Sequence, residues 1–408
     1  MSRTRPLLPI TFADLEKAAQ QQMSPEAFAY IAGGAGREQT IQQNHLGFQQ
    51  WKILPRMLRD VGNRDTRIQL LGRSLPSPFV LAPIGVLELA HPQADLAVAQ
   101  AAAQQQVPMI FSNQASFSME ACSAQMGSAP RWFQLYWSKS NELVKSLVQR
   151  AERTGCEAIV VTLDTTMLGW RPRDLTLAYL PFLEGLGIAQ YISDPVFQDL
   201  VAQTEEGASS LQPKVNWTTL RKIVRLMWRY PGGFWENLRS KKPLRAVRTF
   251  IDIYSRPTLT WADLAFLRQQ TTLPILLKGI LDPQDARLAV DHEVDGIIVS
   301  NHGGRQVDGA VSAIEVLPAI VEIVDNKIPI LLDSGIRTGA DAFKALALGA
   351  KAVGIGRPYV YALALGGAQG VVELLQNFQA EFELTMGLAG CQSIAEIGRD
   401  RLWMEGKN

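Results

Sequence analysis

The sequence predicts an α/β chain folded as a (β/α)8 TIM barrel with a long insertion after the fourth strand. Three observations lead there. Short β-branched or apolar runs recur eight times and alternate with Ala- and Leu-rich stretches of helical period. The connections are short except for one of over a hundred residues. Polar residues stand at the carboxyl ends of most runs, the end at which barrels build their active sites.

In chain order the expected strands are Phe79–Ala82, Met109–Phe111, Trp132–Leu135, Ala158–Leu163, Ile275–Leu277, Gly296–Val299, Ile330–Leu332 and Ala352–Ile355. Each is a run too short for a helix and rich in residues that suit a strand buried on both faces. Between them, Asp282–Val290 and Ala340–Leu348 show the helical period; the second is headed by Thr338 and stopped by Gly349. The gap from the fourth strand to the fifth is too long for ordinary loop. Its part 168–200 is aromatic, with Trp170, Tyr179, Phe182, Tyr191 and Phe197, whereas 214–256 is basic, opposed only by Glu236 and Asp252. We therefore expect a single domain over 1–408, with 168–260 forming a lid or loop region.

Composition narrows the function. At 408 residues the chain is long enough for two or three domains of roughly 150 residues, or for one extended barrel. A net charge of +1 gives no reason to expect nucleic acid. Cys122, Cys156 and Cys391 are scattered, odd in number and without metal-ligand spacing, so we expect no metal and a reduced, cytoplasmic setting. Residues Met1 to Gln22 lack the apolar stretch of a signal peptide, and no run approaches the ~20 apolar residues of a membrane span.

The most informative segment is Ser300-Asn301-His302-Gly303-Gly304-Arg305-Gln306, directly after the sixth strand. Histidine suits proton transfer near neutral pH, and arginine offers a planar fork of donors for a carboxylate. Two glycines between them let the backbone approach something flat. Other strand ends add to this: Ser112, Gln134 with Tyr136, Thr162 with Asp164, and Lys278. Asp333-Ser334-Gly335-Ile336-Arg337 follows the seventh strand and Gly356-Arg357-Pro358 the eighth. In barrels these last two loops often bind phosphate, through exposed backbone N–H groups, a helix start and basic side chains. A lone histidine in a turn would carry little weight; the coincidence at so many strand ends is the signal.

These residues resemble the FMN-dependent L-2-hydroxy acid oxidases and dehydrogenases, from about Tyr30 to about Ala389. The motifs carrying the resemblance are Ser300 to Gln306, Leu277-Lys278-Gly279, Phe133-Gln134-Leu135-Tyr136 and Asp333 to Arg337. Within the family, Ala82-Pro83-Ile84-Gly85-Val86 and Gly169-Trp170-Arg171-Pro172-Arg173-Asp174-Leu175 are most similar to the L-lactate 2-monooxygenase branch. The resemblance implies that His302 is the base and Asp164 the carboxylate that orients it. It implies Arg305 and Arg171 on the substrate carboxylate, with Tyr30 and Tyr136 beside them. It places Lys278 near the flavin, and Ser112, Gln134 and Thr162 on its ring and ribityl chain. Asp333, Arg337 and Arg357 match the ribityl and phosphate contacts. Ala82, Ile84, Gly85, Ser300, Gly335 and Gly356 complete the expected FMN contacts. Gln114 departs from the large apolar or aromatic residue that relatives often carry there.

The expected partners are then a small 2-hydroxy acid, first of all L-lactate, and dioxygen, in a homo-tetramer or octamer. Three readings compete. A flavoenzyme using dioxygen ends either in decarboxylation, as a monooxygenase, or in release of 2-oxo acid and hydrogen peroxide, as an oxidase. A dehydrogenase at a membrane surface would pass electrons to quinone; Leu220, Ile223, Val224, Met227 and Trp228 share one helical face, as do Leu244, Val247, Ile251 and Tyr254, both flanked by Arg and Lys. We rank that below a lid whose basic residues are merely solvated. A flavin-binding protein without turnover ranks last, because His302, Asp164, Arg171 and Arg305 are all present.

Overall fold

The computed structural model describes residues 6–204 and 217–404, with the backbone alone over 217–222. Eight parallel strands close into a barrel in chain order: β1 (Phe79–Leu81), β2 (Met109–Phe111), β3 (Arg131–Leu135), β4 (Ile159–Thr162), β5 (Ile275–Ile280), β6 (Gly296–Val299), β7 (Ile330–Leu332) and β8 (Ala352–Ile355). β8 returns to β1 through Val353–Phe79, Gly354–Val80 and Ile355–Leu81. The eight expected strands are thus all present, and the fold is a (β/α)8 barrel. β5 runs on past Leu277 to Ile280 because Gly279, at φ +106°, takes up a register shift against β6.

Strand periodicity explains the interior. Side chains alternate in and out along each strand, and at the barrel's closed end the inward ones are apolar: Val80, Ile110, Trp132, Val160, Leu276, Ile298 and Leu331, with Ala158 and Ala352 leaving room for the indole. A hairpin of Ile68–Leu70 and Arg73–Leu75 plugs this end with Ile68, Leu70 and Leu75. The alternate residues, among them Phe79, Phe111, Phe133, Leu277, Val299 and Ile355, pack outward on the helices in the larger core. Two residues further along, the inward positions fall on Ala82, Ser112, Gln134, Thr162, Lys278, Ser300, Asp333 and Gly354. The inner column therefore turns from apolar to polar at the carboxyl end. That polar layer is the floor of the site.

The helices carry the boundary signals that the sequence suggests. Helix Gly339–Ala347 opens with a capping box of Thr338 and Asp341, and Gly349 follows its end at φ +105°. Helix Pro283–Asp291 is capped by Asp282. In its described residues the long connection between β4 and β5 is largely helical, with helices Pro172–Thr176, Pro195–Gln203, Trp217–Arg229, Phe234–Ser240 and Lys242–Ile253, and residues 205–216 lie outside the described ones. Buried Arg150, on helix Asn141–Arg153, anchors it by pairing with Asp194 at 3.1 Å and donating to the Gln190 carbonyl at 2.7 Å. Of the aromatics expected to matter there, Phe182, Tyr191 and Phe197 are buried and cluster around Phe250, whereas Trp170 is exposed.

The helical faces divide differently from the sequence expectation. Leu226, Met227 and Tyr230 face inward, while Val224 and Trp228 are exposed; in the second helix Val247 is buried and Leu244 is not. Leu220 lies outside the residues whose side chains are described. Among the described residues no helix is long and apolar enough to cross a membrane.

Candidate active site

A cavity partly open to solvent occupies the carboxyl mouth of the barrel. Its lining contains His302, Tyr30, Tyr136, Arg171 and Arg305, and also Ala82, Ile84, Gly85, Lys278, Asp333, Gly335, Arg337, Gly356 and Arg357. Residues distant in sequence are thus brought to one space. Ser112, Gln134, Thr162, Ser300 and Asp164 are absent from the lining and stand behind it.

The polar floor is held by two hydrogen-bonded arcs. Ser112 Oγ donates to Gln134 Oε1 at 3.1 Å, and Gln134 Nε2 donates to Thr162 Oγ1 at 3.0 Å, which fixes the amide's orientation. Across the barrel, Lys278 Nζ donates to Ser300 Oγ at 2.8 Å and pairs with Asp333 Oδ2 at 3.2 Å. Burial works against the ammonium charge, but Asp333 and Asp164 outweigh it and raise its pKa. A permanent positive charge therefore sits in the wall of the cavity.

His302 follows β6 in left-handed backbone, φ +57°, a conformation that places the imidazole over the barrel mouth. Three contacts hold it there. Its N–H donates to Ser300 Oγ at 3.0 Å, Ser334 Oγ accepts from the Asn301 and Gly303 N–H groups at 3.2 and 3.0 Å, and Asn301 exchanges paired hydrogen bonds with Asn44 at 2.7 and 2.8 Å. Its Nδ1 lies 2.8 Å from Asp164 Oδ1. Burial and the attraction of His302 and Lys278 oppose each other at Asp164, and the attraction prevails, so its pKa is lowered. An ionised carboxylate only accepts, so Nδ1 must carry the proton and Nε2 holds a free lone pair. Burial, reinforced by Lys278 and Arg171 and opposed by Asp164, lowers the His302 pKa. The ring is neutral at neutral pH and able to take a proton. The neighbouring Tyr136 phenol is pushed up to about 12 by burial and by Asp164.

Asp164 needs Gly279. A Cβ on that glycine would lie 2.9 Å from Asp164 Cβ and 3.0 Å from its N, and Gly279 is at φ +106°. Gly279→Ala is therefore expected to cost roughly 1–3 kcal/mol through backbone strain and to push Asp164 off the imidazole. Thermal unfolding and kcat of the same variant would check this; an unchanged kcat would mean that the Asp164–His302 contact tolerates the shift.

Around this dyad sit four arginines, Arg171 and Arg357 buried and Arg305 and Arg337 partly so. Arg305 donates to the Tyr30 and Gly33 carbonyls and lies 5.0 Å over the Tyr30 ring. Arg171 donates to the Arg305 carbonyl at 3.3 Å and to Gln306 Oε1 at 3.2 Å. Arg357 donates to the carbonyls of Ile31, Gly33 and Gly303 at 3.0, 2.9 and 2.8 Å, bracing the N-terminal segment against the His302 loop. Arg337 lies 4.3 Å over Phe12. Among the described residues Arg305, Arg337 and Arg357 have no carboxylate within ion-pair distance, and burial pushes all three guanidinium pKa values down, with a neighbouring arginine adding to it at Arg305 and Arg337. Cations withdrawn from solvent without counter-ions favour anions from outside.

The two phosphate-type loops differ. The helix at Gly339 satisfies its own first N–H groups through Thr338, Asp341 and Glu381. The helix that starts at Arg357 has no side-chain cap, and Gly354, Gly356 and Arg357 face the cavity. An uncapped, glycine-lined helix start and two arginines make the β8 end the better anion cradle.

Sequence reasoning did not place Ser334, Gln306, Phe182, Met167, Leu168 or Tyr254 among the site residues. Gln306 Nε2 donates to the Asp164 and Met167 carbonyls at 2.6 and 2.9 Å, tying the β4 loop to the β6 loop. Ser334 and Gln306 lie inside motifs already noted. Met167, Leu168, Phe182 and Tyr254 reach the cavity only because the chain after β4 folds back over it.

Comparison with known proteins agrees with this geometry. A sequence model of the FMN-dependent dehydrogenases matches residues 19–404. An L-lactate oxidase of Lysinibacillus sphaericus (strain C3-41) is 42% identical over 386 residues, 95% of this chain and 90% of that protein. A 4-hydroxymandelate oxidase of Amycolatopsis orientalis is 37% identical, covering 96% of this chain and 97% of its own. Among solved structures, a crystal structure of mandelate oxidase superposes with a TM-score of 0.77 at 36% identity, over 97% of this chain and 98% of that one.

Proposed function

Since this chain belongs to the FMN-dependent dehydrogenase family and oxidises 2-hydroxy acids with FMN, we propose that its substrate is a small L-2-hydroxy acid, L-lactate foremost, and that dioxygen is the final acceptor. The observation carrying this is one neutral histidine, oriented by a partly buried carboxylate, beside two arginines in the same cavity.

The residues fit the cofactor. The uncapped helix start at Arg357, with Arg337, would hold the phosphate; Asp333 and the polar floor would meet the ribityl chain, and the Ala82–Gly85 backbone with Lys278 would meet the ring. FMN supplies a two-electron acceptor when bound. The protein's own contribution is binding and proton handling. Arg305 and Arg171 fix the substrate carboxylate, so that the hydroxyl meets His302 Nε2 and the α-hydrogen faces the ring; Tyr30 and Tyr136 flank it. His302 takes a proton, and Asp164 stabilises the imidazolium that results.

In the finer reading, the described parts of the insertion, 168–204 and 217–260, act as a lid. Leu168, Phe182 and Tyr254 would keep the 2-oxo acid in place until hydrogen peroxide decarboxylates it, so that lactate and dioxygen give acetate, carbon dioxide and water. The identity with an L-lactate oxidase supports a second ending, release of pyruvate and hydrogen peroxide. Aerobic turnover with L-lactate, assayed for acetate, pyruvate and peroxide together, separates them. Acetate without free peroxide is the expected result; equal pyruvate and peroxide would establish the oxidase. Absence of all three would redirect attention to Gln114 in the cavity wall and to another 2-hydroxy acid.

A further inference from the structure

The two arginines proposed to hold the substrate carboxylate have different surroundings. Arg305 has no carboxylate within ion-pair distance among the described residues, whereas Arg171 has Asp174, whose Oδ2 lies 3.9 Å from Nη1. That is too long for a hydrogen bond. The other two nitrogens of Arg171 are held by neutral acceptors, the Arg305 carbonyl and Gln306 Oε1. Asp174 is withdrawn from water, its side chain 11% exposed, yet no hydrogen bond among the described residues reaches its carboxylate. Burial raises its pKa, and Arg305, Arg171 and Arg173 hold that rise back. The influence is mutual, since Asp174 opposes the burial that lowers the Arg305 pKa. Arg173 is already taken by Glu38 at 2.5 Å, so the charge of Asp174 falls to the two clamp arginines.

Helix-start chemistry does not account for this residue. Asp174 stands in the first turn of Pro172–Thr176, where a carboxylate suits the helix dipole. That helix has only five residues, and no side chain caps it. A partly buried carboxylate without hydrogen bonds is costly unless a nearby charge offsets the loss of water, and the nearby charge is the clamp. Two positive charges on Arg171 and Arg305, less the negative one on Asp174, leave one unbalanced. A ligand with a single carboxylate brings the group to neutrality. A second carboxylate on the same ligand would meet the field of Asp174 with no clamp cation left to match it.

We propose that Asp174 is a specificity-determining residue, acting through Arg171 and Arg305 to set the site for 2-hydroxy acids with one carboxylate and against those with two. This role rests on the clamp reading of the two arginines and names the class of acid that the clamp admits.

The test is titration of the flavin-loaded, full-length enzyme with acetate and with malonate, followed by flavin absorbance at slightly alkaline pH, where both ligands are fully ionised. Asp174→Asn keeps the shape of the side chain and removes its charge. Acetate should bind this variant about three- to tenfold more tightly than the parent, and malonate should gain roughly threefold more than that. In turnover, L-malate should gain on L-lactate in kcat/KM by a similar factor. Asp174→Glu, which restores the charge, should return the selectivity towards the parent's. A side chain that merely steadied Arg171 would, when replaced, loosen both ligands together and leave their ratio alone, so an unchanged ratio in Asp174→Asn overturns the proposal. Arg305→Met checks the clamp itself. Weaker acetate binding in Arg305→Met beside an unchanged ratio in Asp174→Asn would sink the role of Asp174 only. Acetate affinity unaltered in Arg305→Met would sink the clamp reading, and the role of Asp174 with it.

Discussion

His302→Gln is expected to lower kcat about 10²- to 10⁴-fold while the cofactor stays bound. Glutamine fills a similar space and can still meet Asp164, so the loop held by Ser300, Ser334 and Asn44 need not move. What disappears is the basic lone pair at Nε2. The pH profile gives an independent check. Burial lowers the His302 pKa below its ordinary 6.5, and a base must be unprotonated to act, so kcat/KM should rise through an acid limb below that value and stay level above it. Asp164 is the term pulling the other way. Asp164→Asn removes the countercharge, so the acid limb should move lower still, and kcat should fall because the imidazolium is no longer stabilised. A glutamine variant retaining kcat within a few-fold, with flavin absorbance intact, would remove His302 from the proton-transfer step.

Much of this site was legible in the sequence for a simple reason. In a barrel the side-chain period is two and the functional end is the carboxyl end, so once eight strands are located the positions after each are placed without further information. Gln134, Thr162, Lys278 and Ser300 come out that way, and they do form the polar floor. What the strands could not show is how the chain returns. Phe182 and Tyr254 reach the cavity through the path of the insertion, which no local pattern encodes. The helix Trp217–Arg229 misled for a related reason: it has apolar residues on both faces, so periodicity alone does not say which stripe is buried, and Leu226, Met227 and Tyr230 prevailed over Val224 and Trp228. Support residues such as Gln306 and Ser334 were visible as letters in a motif, but their work is bracing one loop against another.

Arg305→Met should lower kcat/KM on the order of 10³-fold, because it removes one arm of the proposed carboxylate clamp from a partly buried setting. The argument rests on what surrounds the guanidinium. Burial and the nearby Arg171 destabilise its charge, and among the described residues no carboxylate lies within ion-pair distance of it. A substrate carboxylate would supply the missing countercharge, and that gain is available only when the anion is bound. Part of the loss should appear in kcat, since a carboxylate held by Arg171 alone is free to pivot and the hydroxyl no longer meets Nε2 squarely. Arg305→Lys should recover charge but not the fork, and so only part of the rate. Because Arg305 also donates to the Gly33 carbonyl, 3.0 Å away, thermal unfolding of both variants separates a loosened N-terminal segment from a lost clamp. The expected split is a large kinetic loss in methionine, partly restored in lysine, at similar unfolding temperatures. Equal kinetics in the parent and methionine enzymes would mean that Arg171 alone fixes the substrate, leaving Arg305 as a brace for the Tyr30–Gly34 turn.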